Sequence, residues 1–423
     1  MNKFIFKGYD FNATTRTAMF RYGFEDGTAF EERVQFSQAG EYDKELLDRA
    51  LFLSFMLVGT SYYKAFPSKE VVLEMGNLDE WQAKFFSTVY QEGLSQFAFE
   101  NKLTRDDLVQ FVATHTEAPK PLEASGNGVL SLQSGGKDSL LTATLLGEKN
   151  VPFTSWYIGS SSHYPMVLEM IGRPLTTAER FIDIEALKAA KEKGSLNGHV
   201  PITYIVTSFA LIDAVLNGAR TVVLSIGHEG EEPHDWIDNL PVNHQWSKTW
   251  PAEQALAEYV RHYISPDIQV GSPLRGFTEL KIAELFVAHA WERYGYEFSS
   301  CNRANYMQGN DNTHLKWCGE CPKCANSFLL FAPFLPADDL KSLFGGQDLF
   351  EKPMLQETFK GLLGIDGVMK PFECVGETAE LRLAYAMAEQ HGGYGRLSFE
   401  VPKSDFDYQQ EYDAQGWARQ MIQ

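Results

Sequence analysis

Ser134-Gly135-Gly136-Lys137-Asp138-Ser139 stands between a short apolar run, Val129-Leu130-Ser131-Leu132, and a helix-like run, Leu140-Leu141-Thr142-Ala143-Thr144-Leu145-Leu146. This order reads as strand, tight glycine turn and helix, a setting in which several backbone N–H groups and a helix N-terminus face one anion. Adjacent glycines let the main chain approach oxygen atoms that a Cβ would exclude. Ser134 and Ser139 add hydroxyl donors, and Lys137 adds a point charge. The run is not a Walker A loop, which needs Gly-x-x-x-x-Gly-Lys-[Ser/Thr]. Ser131 stands where that pattern wants its first glycine, and Asp138 follows the lysine.

Working outward, further strands are expected at Phe153-Thr154-Ser155-Trp156-Tyr157-Ile158, Thr203-Tyr204-Ile205-Val206 and Thr221-Val222-Val223-Leu224-Ser225, with a helix over Phe209–Leu216. Strands alternating with helices predict an α/β fold with a doubly wound, mostly parallel sheet. Ligands in such sheets bind beyond the C-terminal strand edges, where Ser134–Ser139 and Gly159-Ser160-Ser161 would lie. Before this region, residues 1–118 predict an N-terminal α+β domain. Strands around Phe20–Phe24 and Val34–Phe36 flank the Glu25-Asp26-Gly27 turn, and helices run over Leu46–Val58 and Trp81–Gly93. Ala118 to Gly128 has the proline, glycine and polar content of a linker. The sheet domain is expected over 126–300, and 301–423 as a zinc-bearing, helical extension.

SGGKDS resembles the pyrophosphate loop (PP-loop) of the N-type ATP pyrophosphatases, which release pyrophosphate from ATP and adenylate a substrate oxygen. The resemblance implies an adenine nucleotide alpha hydrolase-like sheet that binds ATP with Mg²⁺ through Ser134, Gly135, Gly136, Lys137, Asp138 and Ser139, with Ile158 and Gly159 bordering the nucleotide. Asp138 fits a role in supporting Mg²⁺ or the loop better than one as a base. Such enzymes often carry a proline–leucine turn and then a lysine opening a helix, which Ser272-Pro273-Leu274 and Lys281 match. Lys281 is then a triphosphate contact or a solvated helix lysine, and Arg275 is a weaker candidate.

Cys301, Cys318, Cys321 and Cys324 form a C-x16-C-x2-C-x2-C pattern, with Cys374 apart from it. Short C-x-x-C turns bring thiolates toward one point, which suits tetrahedral Zn²⁺, and a closed four-cysteine site leaves no open position for catalysis. The role expected is structural; an iron–sulfur cluster and an empty site are the alternatives. Some enzymes with the same ATP loop carry a similar cysteine site after their nucleotide fold.

With 423 residues, of which 44% are hydrophobic and 13% aromatic, the chain can bury more than one core. Its formal net charge of −19 makes it a poor general binder of nucleic acid, whose affinity for proteins comes mainly from displaced counterions. The N-terminal Met1-Asn2-Lys3-Phe4-Ile5-Phe6-Lys7 lacks the apolar core of a signal peptide. The most apolar run, Ala50–Gly59, is about half the ~20 residues that span a bilayer. A cytoplasmic protein with no membrane partner is expected. No oligomeric state is implied.

Two polar loops would crowd the sheet edge. One, Gly227 to Trp236, carries His228 and Glu229; the other, Val242 to Lys248, carries Asn243-His244-Gln245. Glu229, His228 and His244 are candidate acid–base or substrate groups, although a solvated acidic loop reads equally well for the first. Cys374, between Glu373 and Val375, is either a small buried hydrophobe or a thiol able to move a proton.

Tyr62-Tyr63-Lys64-Ala65, SGGKDS, Val242-Asn243-His244-Gln245, Trp317-Cys318-Gly319-Glu320-Cys321-Pro322-Lys323-Cys324 and Pro371-Phe372-Glu373-Cys374-Val375-Gly376-Glu377 together resemble the ATP-dependent UDP-N-acetylmuramoyl-L-alanyl-L-glutamate epimerases (MurL-like) of peptidoglycan precursor synthesis. The resemblance implies a UDP-sugar dipeptide substrate, a carboxyl-adenylate, and AMP and pyrophosphate as products. Nucleobase or tRNA modification, amide ligation and nucleotide sensing share parts of this motif set and stay open from the sequence.

Overall fold

The computed structural model describes residues 3–117, 119–160, 163–307 and 311–423; Ser161 therefore lies outside the described residues. Among the described residues the strands are β1 (Phe4–Asn12), β2 (Thr17–Phe24), β3 (Ala29–Phe36), β4 (Val71–Leu73), β5 (Gly128–Leu132), β6 (Thr154–Gly159), β7 (Leu175–Phe181), β8 (Ala219–Val223), β9 (Asp235–Ile237), β10 (Leu240–Val242) and β11 (Gln269–Gly271). Nine of them make one sheet in the order β11-β8-β5-β6-β7-β3-β2-β1-β4, and β9 and β10 form a separate hairpin.

Within the large sheet, β11, β8, β5, β6 and β7 are parallel. Counted along the chain from β5, this half has a 3-2-1-4-5 order, so the winding reverses between β5 and β8. That reversal opens the crevice in which such sheets hold ligands. The alternation of side chains across the strands feeds two cores. Leu130, Trp156 and Val222 pack on one face with the Ile202–Asn217 and Lys44–Val58 helices. Val129, Tyr157 and Val223 pack on the other with the Lys137–Glu148 and Glu279–His289 helices. The expectation of a mixed α/β fold with a mostly parallel sheet holds.

One expected strand is corrected. Thr203-Tyr204-Ile205-Val206 opens the sixteen-residue helix Ile202–Asn217. Its β-branched residues favour a strand, but Tyr204, Ile205, Ser208, Phe209, Leu211 and Ile212 are buried at helical spacing, and that packing outweighs local propensity. The third parallel strand is β7, whose Thr176, Thr177, Glu179 and Arg180 give no apolar run to read.

β7 also pairs antiparallel with β3, so the β1–β2–β3 meander continues the parallel sheet. Glu32, fully buried on β3, receives Arg180 Nε of β7 at 2.7 Å and the Tyr62 hydroxyl at 2.8 Å. Removing one member of such a pair leaves a buried charge without a partner. Glu32→Ala is therefore expected to lower unfolding free energy by about 3–5 kcal/mol. Urea titration checks this, and a loss below about 1 kcal/mol would show the pair to be dispensable. No helix among the described residues is long and apolar enough to cross a membrane.

Candidate active site at the carboxyl ends of the parallel strands

β5, β6, β8 and β11 end on one edge, and each delivers a loop there. After β5 comes Ser134–Ser139. Gly135 has φ +79°, and a Cβ on it would stand 2.6 Å from Leu315 Cδ1, so only glycine fits both the backbone and the space. The hydroxyls of Ser134 and Ser139 lie 3.5 Å apart, and Ser139 Oγ donates to the Gly136 carbonyl at 3.2 Å. The Tyr306 hydroxyl donates to the Ser134 carbonyl at 2.7 Å, and Ser299 N–H to that of Gly135 at 3.3 Å. No side chain caps the Lys137–Glu148 helix, so its first N–H groups face this loop. Ile158 and Gly159 close β6 on the neighbouring strand.

Lys137 does not reach into solvent. Its Nζ lies 2.6 Å from Asp138 Oδ1 and 2.9 Å from Glu279 Oε2, and the Lys137 and Glu279 side chains are both more than nine-tenths buried. Burial alone would favour the neutral amine, but the two carboxylates outweigh it and raise the Lys137 pKa. Burial likewise works against charge on Glu279, and Lys137 overcomes it and holds that carboxyl below its usual range.

Beside this group lies a second pair. Glu229, 3% exposed, accepts from Lys248 Nζ at 3.2 Å. Burial pushes the Glu229 pKa up; Lys248 opposes the shift, while Glu279, Asp138 and Cys374 reinforce it. Burial works against charge on Lys248, and Cys374, Glu229, Glu279 and Asp138 outweigh it and keep the ammonium protonated. Asp138, Glu279, Glu229, Lys248 and Cys374 therefore share one electrostatic environment, although they come from five separate segments.

Other predicted residues sit around this centre. The His228 ring stacks on Tyr412 with centroids 3.4 Å apart. Burial and the nearby Arg275 push its pKa down to about 4. His244 Nδ1 donates to Gln96 Oε1 at 2.7 Å and its ring packs against His199 at 4.2 Å, with His234 and Phe372 beyond. Burial holds His244 at about 4, and thus neutral at pH 7. Asn243 is spent on backbone, with its amide on the Gly230 carbonyl at 2.6 Å and its oxygen accepting Gln245 N–H at 2.8 Å. Gly230 itself has φ +80°, and a Cβ there would meet Gln245 at 2.9 Å. Lys281 pairs with Glu284 at 2.5 Å on its own helix. Arg275, fully buried, binds Glu253 through Nε and Nη2 at 2.9 and 2.8 Å and the Gly227 carbonyl at 2.7 Å, which fixes the loop that carries Glu229.

Cys301, Cys318, Cys321 and Cys324 bring their sulfurs within 4.8 Å of one another, with the closest pairs at 3.5–3.7 Å. Metal–thiolate bonds near 2.3 Å in a tetrahedron need S···S separations of about 3.8 Å. Backbone N–H groups of Gly319 and Ala304 point at Cys324 and Cys301 sulfur at 3.3 and 3.4 Å, as thiolate ligands require. The donor set fits a metal ion such as zinc.

The model for the MurL N-terminal domain matches residues 1–272, and the model for the MurL C-terminal domain matches residues 297–399. The chain belongs to the MurL family. It is 33% identical over 385 residues to the UDP-N-acetyl-alpha-D-muramoyl-L-alanyl-L-glutamate epimerase of Xanthomonas oryzae pv. oryzae, covering 89% of this chain and 83% of that protein. To the epimerase of the same name from Salinispora tropica it is 31% identical over 405 residues, covering 93% and 86%. The two MurL segments meet in the site: Lys137, Asp138, Glu229 and Lys248 lie in the first and Cys374 and the cysteine cluster in the second, while Glu279 lies between the two matches.

Sequence reading missed Lys248 and Glu279. Glu279 stands two residues before Lys281 in the same helix opening, and Lys248 ends the Asn243-His244-Gln245 loop. Their signal was proximity to motifs already singled out. Which face each would present depended on packing.

Proposed function

We propose that this protein inverts the α-carbon of the terminal glutamate in UDP-N-acetylmuramoyl-L-alanyl-L-glutamate, with ATP used to adenylate the glutamate carboxylate. One observation carries the reading: a glycine-rich anion loop, a buried carboxylate–ammonium pair and a thiol-bearing segment converge beyond β5, β8 and β11. The epimerases to which the chain is similar supply the substrate. The SGGKDS loop, in its strand–turn–helix setting, supports assignment to the PP-loop ATP pyrophosphatases, and a need for ATP would put the reaction in the cytoplasm.

The chemistry needs this combination. A glutamate acylated on nitrogen has no amine for Schiff-base activation, and its α-proton is very weakly acidic beside a carboxylate. The carboxylate oxygen attacks the α-phosphorus of ATP, pyrophosphate leaves, and the resulting acyl group can take up the electron pair of a broken Cα–H bond. A base removes the proton on one face and an acid returns one on the other. Water then cleaves the mixed anhydride to the D-glutamyl product and AMP.

Ser134, Gly135, Gly136, Ser139 and the helix N-terminus would bind the phosphates, with Ile158 and Gly159 along the nucleotide. Asp138 and Glu279 aim one oxygen each at a single cation, now the Lys137 ammonium. They would hold Mg²⁺ while Lys137 turns to the phosphates; the ion would offset charge on the leaving pyrophosphate. Glu229, with Lys248 at its side, and Cys374 are the proton-transfer groups in this reading. His244 borders the substrate, His228 supports the loop from behind, and Lys281 contacts the triphosphate only after leaving Glu284. Zinc would serve structurally at the four cysteines.

The test is incubation of the protein with Mg-ATP and the UDP-muramoyl dipeptide, followed by hydrolysis and chiral analysis of glutamate. D-glutamate that appears only with ATP is expected; L-glutamate alone, from protein that binds ATP, would refute the reading. Metal analysis should find zinc in the purified protein, and Cys318→Ser should lose it, with a lower melting temperature.

A further inference from the structure

We propose that the four-cysteine knuckle orients the thiol-bearing segment of the site, with Lys323, inside it, as a positioning residue for Cys374. The proposal rests on the reading of Cys374 as a proton-transfer group. Lys323 stands between Cys321 and Cys324, at the start of the Pro322–Phe331 helix. Its Nζ donates to the Cys374 carbonyl at 2.6 Å. One turn along the same helix face, Asn326 Oδ1 accepts Gly376 N–H at 2.9 Å. From the opposite side, Gln245 Nε2 donates to the Val375 carbonyl at 2.9 Å.

Cys374-Val375-Gly376 is thus held at three consecutive residues by side chains, two of them from the helix that starts after Cys321. The other arm of the cluster reaches the anion loop. Ser299 N–H donates to the Gly135 carbonyl, Ser299 Oγ accepts Cys301 N–H at 3.0 Å, and a Cβ on Gly136 would meet Ser300 Oγ at 3.1 Å. The cysteines therefore set the thiol segment and the phosphate loop relative to each other. A bound ion would hold both arms by closing the tetrahedron.

Full-length wild type, Lys323→Met and Lys323→Arg are compared after confirmation that each retains its metal. The readouts are substrate-dependent pyrophosphate release, solvent deuterium entry at the glutamate α-carbon, and iodoacetamide alkylation of Cys374 followed by peptide mass analysis. Lys323→Met is expected to keep pyrophosphate release, to lose about tenfold or more in deuterium entry, and to alkylate faster at Cys374. Lys323→Arg should restore both. If Lys323→Met loses its metal, Lys323→Gln takes its place. Unchanged deuterium entry and unchanged alkylation in the metal-loaded variant would overturn the proposal, as would an equal fall in pyrophosphate release. Should wild type itself show no deuterium entry, the functional reading fails and alkylation alone decides: faster in Met and restored in Arg supports positioning, and equal rates overturn it.

Discussion

Glu229→Gln is expected to leave substrate-dependent pyrophosphate release near the wild-type rate while slowing deuterium entry at the glutamate α-carbon by about 10²–10⁴-fold. Glutamine keeps the shape of the side chain and a partner for Lys248, which lies 3.2 Å from Glu229 Oε2, but it cannot take a proton. The pH dependence follows from the cause of the Glu229 shift. Burial and the neighbouring Glu279, Asp138 and Cys374 raise its pKa, and Lys248 lowers it. Since the ionised form is the base, deuterium entry should rise with pH through a midpoint above the ordinary carboxylate range. Lys248→Met removes the one lowering partner and should move that limb to still higher pH. A Glu229→Gln enzyme with wild-type deuterium entry would remove Glu229 from proton transfer.

Asp138→Ala and Glu279→Gln should act one step earlier and cut pyrophosphate release by about 10²–10³-fold, the scale seen when one preorganised charge is removed from a transition state. Both carboxylates bind the Lys137 ammonium, at 2.6 and 2.9 Å. Losing either one removes one of the two Lys137 partners and deletes an oxygen proposed for Mg²⁺. The two effects separate on metal titration: raising Mg²⁺ should recover part of the Glu279→Gln rate if that oxygen binds the ion. Pyrophosphate release that survives in both variants would move the nucleotide elsewhere.

The strand–glycine turn–helix unit and the cysteine cluster were legible because each is local. Six consecutive residues build the turn of the first, and a C-x2-C-x2-C turn supplies three sulfurs of the second. Pairings across long separations were not legible. Lys137 and Glu279 are 142 residues apart, and Lys323 and Cys374 are 51 apart, so no window of sequence contains either contact. Lys281 was the visible lysine after the Ser272-Pro273-Leu274 turn, yet helix phase put Glu279 on the inner face and gave Lys281 to Glu284. Cys374 and Glu229 were picked out singly; their electrostatic coupling needed the fold. The continuous sheet was hidden for the same reason. β3 and β7 pair through register, with Arg33 opposite Phe181, and register between strands so distant leaves no mark on either.

The account turns on a carboxyl-adenylate, and isotope transfer tests it most directly. The substrate is prepared with ¹⁸O in both oxygens of the reacting glutamate carboxylate, and AMP is recovered after turnover with Mg-ATP. Adenylation followed by attack of water at the acyl carbon leaves one substrate oxygen on phosphorus, so AMP carrying a single ¹⁸O is predicted alongside D-glutamate. Unlabelled AMP, or ADP in its place, would contradict the mechanism.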